Sequence, residues 1–253
     1  MKINLHCHSN YSDGYYSLLQ MAQEHKKQGF SAFVVTDHCY PCFIEKGKFE
    51  GRSLTSYDKY TAQKKELEEV SETLGFACMQ GIEIALYSEE ILVFGDETIK
   101  QIFEFLETKN SSKNLEDAGK YHKQLSKDVI DILKQNKNQT AIIFCHPRLV
   151  YLEDYEKRQL FEIVDGYEFQ NSGQYFFTDA SNKDRPNKWN RDVPPELKGK
   201  KKFYNSDAHA LICVNRTDGN FHNQKIENVA DLIKYIKSSE DCSYIKSFKE
   251  IEY

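Results

Sequence analysis

Short apolar runs alternate with longer stretches in which apolar residues recur every three or four positions, along nearly the whole chain. Runs of the first kind, at 2–7, 32–36, 76–81, 91–94, 141–145, 166–169 and 202–205, predict strands. Stretches of the second kind, at 18–28, 57–74, 99–106, 121–136, 155–163 and 229–237, predict amphipathic helices. Gly29 and Gly75 follow two of them as stop signals. Residues 242–251 predict an edge strand or tail. This alternation favours an α/β fold with a mostly parallel sheet, open or closed into a barrel. No internal repeat and no long linker interrupts it. Residues 182–202, with Pro186, Pro194, Pro195 and many charges, predict a long loop rather than a boundary. The expectation is one domain over 1–253, its motif-bearing core about 1–240 and a tail at 241–253.

Composition narrows the function classes. The 253 residues carry a formal net charge of -5, which argues against binding along a nucleic-acid backbone, since that needs an excess of Lys and Arg. A phosphorylated small substrate stays open, because a metal cluster supplies positive charge that a net count hides. The chain opens directly into a strand, with no signal-peptide core and no apolar stretch long enough to span a bilayer, so a cytoplasmic location is expected. Seven cysteines are an odd, scattered set. Cys39 and Cys42 form a C-x-x-C without the second pair of a zinc ribbon. Cys7 and Cys145 each neighbour a strand His, and strand alternation predicts that they pack outward while the His faces a site.

Five motifs carry chemistry. His6 and His8 are two apart on a strand, so both imidazoles share a face and can bind one metal; Asp13-Gly14 follows in a turn that reaches the same mouth. Thr36-Asp37-His38 ends the next strand, where α/β folds collect ligands. Gly81-Ile82-Glu83 closes another, and its carboxylate has two oxygens with which to bridge ions. Cys145-His146-Pro147 and Ser206-Asp207-Ala208-His209 complete the set. His6, His8, His38, His146 and His209, five of the eight histidines, thus fall at strand ends with carboxylates beside them. In a parallel barrel those ends share one rim. His25, His122 and His222 lie elsewhere and have no expected part in the chemistry.

In this order the motifs resemble the PHP (polymerase and histidinol phosphatase) domain, from His6 to His209. The resemblance implies a distorted (β/α)7 barrel, TIM-like, with two or three divalent ions, Mn, Zn or Fe. It implies His6, His8, Glu83 and Asp207 at a first metal, and Glu83 bridging to a second that His146 also binds. Asp13, His38 and His209 would hold a third, and Asp37 would orient a ligand or water. The chain departs from the pattern at Glu90, which stands where many members carry a His; a carboxylate there favours a harder ion such as Mn.

Such a site implies a metal-dependent phosphoesterase, with metal-activated hydroxide attacking a small phosphomonoester and Asp37, Asp207 or His209 assisting with orientation and protons. Arg52, Arg148 and Arg216 fall in loops near the motifs and are candidate phosphate clamps, Arg148 foremost. Glu168 and Asn171 are candidates for the same rim. Loops 40–56 and 174–195 are candidates for shaping substrate choice. Two other classes remain: a nuclease or phosphodiesterase acting on nucleic acid, and a PHP module with a binding or structural role.

Overall fold

The computed structural model describes residues 1–41, 53–86, 89–109, 118–146, 154–171, 194–214 and 219–239. The alternating pattern resolves into ten strands and seven α-helices among them, with a short 3-10 helix at Pro195–Leu197. The strands are β1 (Lys2–Ile3), β2 (Phe33–Val35), β3 (His38–Cys39), β4 (Cys78–Gln80), β5 (Ile82–Leu86), β6 (Glu89–Phe94), β7 (Ala141–Phe144), β8 (Gly166–Asn171), β9 (Lys201–Asn205) and β10 (Asn220–Phe221). The helices are α1 (Leu18–Lys27), α2 (Tyr57–Leu74), α3 (Asp96–Lys109), α4 (Ala118–Gln135), α5 (Asp154–Ile163), α6 (Leu211–Val214) and α7 (Val229–Lys237).

Helix ends follow local chemistry. Ser17 begins α1 with a capping box, its side chain accepting from Gln20 while the Gln20 side chain accepts from the Ser17 amide. Ser56 caps α2, and Gly75 ends it in the left-handed conformation, φ 53°.

β3, β5, β6, β7, β8 and β9 form one six-stranded sheet in that order; β2 pairs with β4, and β1 with β10. Within the six-stranded sheet pairing is parallel except around β6, which is antiparallel to both β5 and β7; β2 and β4 pair parallel, β1 and β10 antiparallel. Only two residues separate β5 from β6, too few for the crossover that a parallel pair requires. The strand expected at 76–81 is β4, and a further strand not expected there, β5, follows Gly81 and runs to Leu86. A Cβ at Gly81 would stand 2.5 Å from the Phe94 ring and 2.6 Å from Val93 O, so β5 and β6 approach here as only glycine permits.

Backbone bonds tie the sheet segments together. Cys7 forms a parallel bridge with Ala208, just past β9. Thr36 N–H donates to Cys7 O at 2.9 Å, and Gly81 N–H to Val35 O at 2.9 Å. Both faces are covered, so β6 is almost continuously apolar. Ile3, Val34, Met79, Leu92, Ile143 and Phe203, from six strands, pack in one buried cluster. Ile91 and Val93 point the other way, against Ile99, Phe103 and Val129 of α3 and α4. No helix among the described residues is long and apolar enough to cross a membrane. The segment 241–253 lies outside the described residues.

Candidate metal centre

Strand ends bring together five histidines (His6, His8, His38, His146, His209) and five carboxylates (Asp13, Glu83, Glu90, Glu168, Asp207). Glu83 is the hub. Its Oε1 lies 3.2 Å from His6 Nε2 and 3.3 Å from His146 Nε2, while its Oε2 lies 2.8 Å from His38 Nδ1 and 3.4 Å from His8 Nε2. Register explains part of this, because His38 pairs directly with Glu83 across β3 and β5. Asp207 Oδ1 lies 3.0 Å from His8 Nε2 and 3.4 Å from His6 Nε2. Asp13 Oδ1 faces His209 Nε2 at 3.2 Å and His38 Nε2 at 3.5 Å. Glu90 Oε2 reaches His146 Nε2 at 3.4 Å.

Several of these atoms are buried and, despite those short approaches to one another, make no hydrogen bond of proper geometry: His6 Nε2, His8 Nδ1, Asp13 Oδ1, His38 Nδ1 and Glu83 Oε2. Buried polar atoms are normally satisfied, so a convergent set of orphans marks a place for something that accepts their lone pairs. A divalent cation meets that description. The donor atoms group within 4.8 Å of one another as His6–His8–Glu83, as His8–Asp13–His38–His209, and as His38–Glu83–Glu90. Imidazole and carboxylate together suit Mn, Fe or Zn. The residues present therefore fit divalent metal.

The electrostatics point the same way. Burial works against a charged imidazole at His6 and His38, yet neighbouring carboxylates, Glu83 foremost, raise both well above the ordinary value. His146, buried but bonded to Glu83, rises to about 9. His8 moves the other way, to about 4, through burial and the adjacent His38 and His209. Burial works against the ionised carboxyl at Glu83 and Asp207, but the histidines beside them lower both. A field that holds protons on this many imidazoles is one in which a divalent cation is stabilised in their place.

Supporting residues fix the donors. His6 Nδ1–H donates to Glu168 Oε1 at 2.8 Å, which leaves Nε2 facing the cluster. Glu168 also accepts from Asn205 Nδ2 at 2.9 Å, from Asn171 Nδ2 at 2.8 Å and from the His146 amide at 2.8 Å. Asp37 is not drawn into the donor groups. Its oxygens accept from the Ser9 amide at 2.8 Å, Ser9 Oγ at 2.5 Å, Ser12 Oγ and the Gln63 side chain, so it anchors the loop after His8. His146 and Asp207 are the two non-glycine residues with positive φ among those described, at 20° and 49°. Strained backbone of this kind concentrates at functional sites.

The expectation for Cys7 holds, since its thiol turns away to donate to Val34 O at 3.1 Å. That for Cys145 is overturned: its sulfur lies within 4.8 Å of a Glu83 oxygen and a His146 nitrogen. Alternation predicts opposite faces for neighbouring residues only while the strand lasts, and His146 has left the β region. Sequence reasoning placed Glu168 only on the rim; its strand, flanked by two parallel neighbours and in register with Phe203, sets it at the centre. Tyr40, stacked on His38 with ring centroids 4.8 Å apart, walls the same space. Arg52, Arg148 and Arg216 lie outside the described residues, as do most of the two loops expected to shape substrate choice.

The family profile of the PHP domain matches residues 4–157, more than half of the chain. The chain belongs to the PHP domain family. Asp207 and His209 lie beyond the matched PHP segment, and the fold brings them to the same cluster. A curated relative, the DNA polymerase/3'-5' exonuclease PolX of Bacillus subtilis, is 27% identical over 115 residues, which is 45% of this PHP chain and only 19% of the relative. A solved structure from Bifidobacterium adolescentis, described as a "putative metal-dependent phosphoesterase", aligns over 93% of this chain and 96% of its own with 15% identity and a TM-score of 0.47.

Proposed function

We propose that the protein is a metal-dependent phosphoesterase whose preferred substrate is a small phosphomonoester. The observation that carries this is the convergence of buried, unpartnered imidazole and carboxylate atoms around Glu83. His6, His8, Glu83 and Asp207 would hold a first ion, and Glu83, His146 and Glu90 a second. Asp13, His38 and His209, with His8 beside them, would hold a third. Divalent ions there would supply Lewis-acid activation of water and neutralise charge on a phosphoryl group.

The chain's own groups do the rest. Glu168 sets the His6 tautomer, and Asp37 holds the Ser9–Ser12 turn from which Asp13 projects. Asp207 and His209 are the groups proposed to move protons. His209 Nδ1–H donates to the Asp207 carbonyl at 3.0 Å, and Asp207 Oδ1 lies 3.6 Å from the same nitrogen. Arg148, with Arg52 and Arg216, remains the proposed clamp on the non-bridging oxygens.

The scaffold for this rim is proposed to be a distorted (β/α)7 barrel. Supporting it, the seven strand positions follow one another by hydrogen bonds: the segment after β1, β2–β3, β4–β5, β6, β7, β8 and β9, with Cys7–Ala208 joining last to first.

A second reading, phosphodiester cleavage in nucleic acid, is favoured by the similarity to the exonuclease-named relative and opposed by the net charge of -5. Turnover of a monoester and a diester by protein of known metal content separates the two. Cleavage of the diester alone would replace the first reading by the second. Full metal content without turnover of either would favour a binding or structural role.

A further inference from the structure

Cys145 follows β7 directly. Its amide donates to Glu90 O at 3.0 Å, so it extends the β6–β7 pairing by one residue beyond Ile91–Phe144 and shares a face with Glu90. That face is the inner one, where Leu92 and Ile143 lie in the same cluster as Cys145. The thiol is 2% exposed and in no disulfide. Its sulfur, a Glu83 oxygen and a His146 nitrogen all lie within 4.8 Å of one another. A second observation points to a ligand here: the sulfur also falls in a donor group with a His6 nitrogen and a Glu168 oxygen, and His6 Nε2, on a fully buried side chain, has no hydrogen-bond partner.

We propose that Cys145 is a sulfur ligand of the second metal position, completing a set with Glu83, His146 and Glu90. The inference rests on the metal-centre reading above and deepens it. At this position the donors other than His146 are otherwise oxygens, Glu90 taking the place at which an imidazole was expected. A thiolate adds a soft donor and shifts preference from Mn towards Zn, Co or Fe(II). On binding, the S–H bond breaks, its proton leaves to solvent, and the sulfur lone pair forms the S–metal bond; nothing is oxidised or reduced.

Cobalt(II) is the probe. The full chain loaded with cobalt should show near-ultraviolet sulfur-to-metal charge-transfer absorption, and Cys145→Ser should lose it while keeping the visible bands of the other sites. Zinc-loaded wild type should show a sulfur shell at about 2.3 Å by X-ray absorption, a measurement that needs no variant. Zinc affinity at one position should fall in Cys145→Ser by at least the roughly 10–100-fold seen for outer-shell partners, with Mn binding changed less. Cobalt uptake without the charge-transfer band, or a band that survives Cys145→Ser, overturns the sulfur ligand and leaves the metal centre standing. No uptake of cobalt, zinc or manganese overturns the metal centre itself.

Discussion

At the residue scale, the arrangement around His6 shows how one carboxylate can serve another group's chemistry. Glu168 takes no part through open lone pairs, because four donors from His6, His146, Asn171 and Asn205 converge on it. Its task is to fix which nitrogen of His6 faces the cluster. Glu168→Gln replaces one acceptor oxygen by a donor that opposes either the His146 amide or His6, so metal affinity should fall about 10–100-fold, read by competition with a chelating dye. Unchanged affinity would count against the positioning role. His25 illustrates a histidine outside the chemistry. Burial lowers it to about 4, against a partial rise from its bond to Met21 O, so the folded state holds it neutral. The unfolded chain therefore binds more protons between about 6.5 and 4, and stability is full above 6.5 and lost as pH falls through that window. The loss is on the order of 3 kcal/mol. Melting His25→Leu beside wild type from pH 7 to pH 4.5 should show a shallower acid decline in the variant.

At the element scale, strand ends and the turns after them decide where donors point. The turn after His8 is closed by Ser12 N–H and Gly14 N–H, which both donate to Ser9 O, at 3.1 and 3.0 Å. A Cβ at Gly14 would stand 2.6 Å from His8 C and 2.7 Å from His8 O and Ser9 N, backbone atoms that cannot rotate away. Gly14→Ala should thus displace Asp13 and empty the Asp13–His38–His209 position, cost about 1–3 kcal/mol, and leave the fold in place. Metal stoichiometry alongside a thermal melt checks this; an alanine variant with full metal content would contradict it. The motifs His6-x-His8, Asp37-His38, Glu83, His146 and Asp207-x-His209 were legible because each ends an apolar run. Cys145 was not, since the backbone change at His146 that ends the alternation leaves no mark in the hydrophobic pattern. Asp37 was read towards the chemistry because it adjoins a donor; the hydroxyls and amide that claim it come from residues 9, 12 and 63, a convergence only the fold creates.

At the scale of the whole molecule, alternation announced an α/β chain, and the helices at 57–74 and 229–237 fall where their periodicity placed them. Direction was harder. Nothing in the apolar run of β6 distinguishes an antiparallel strand from a parallel one, and the two-residue connection before it was obscured because the extended chain was expected to stop at Gly81, before β5. The barrel proposal adds a testable claim about amide protection. Thr36, Gly81 and His8 donate across the seams between sheet segments, to Cys7 O, Val35 O and Ala208 O. If the strands form one closed cooperative unit, these amides should exchange as slowly as those of β7 and β8 in native-state hydrogen exchange. Exchange on the timescale of fraying termini would mark an open edge instead.

The central claim joins the metal centre to phosphoester hydrolysis, and one measurement addresses both. Bound metals would be assayed in wild type and in Asp207→Ala, and the same samples given a panel of phosphomonoesters before and after chelation. The account predicts two or three divalent ions per wild-type chain, turnover of at least one monoester that chelation abolishes and metal restores, and loss of both metal and turnover in the variant. Metal content and turnover surviving in Asp207→Ala, or turnover indifferent to chelation, would contradict it.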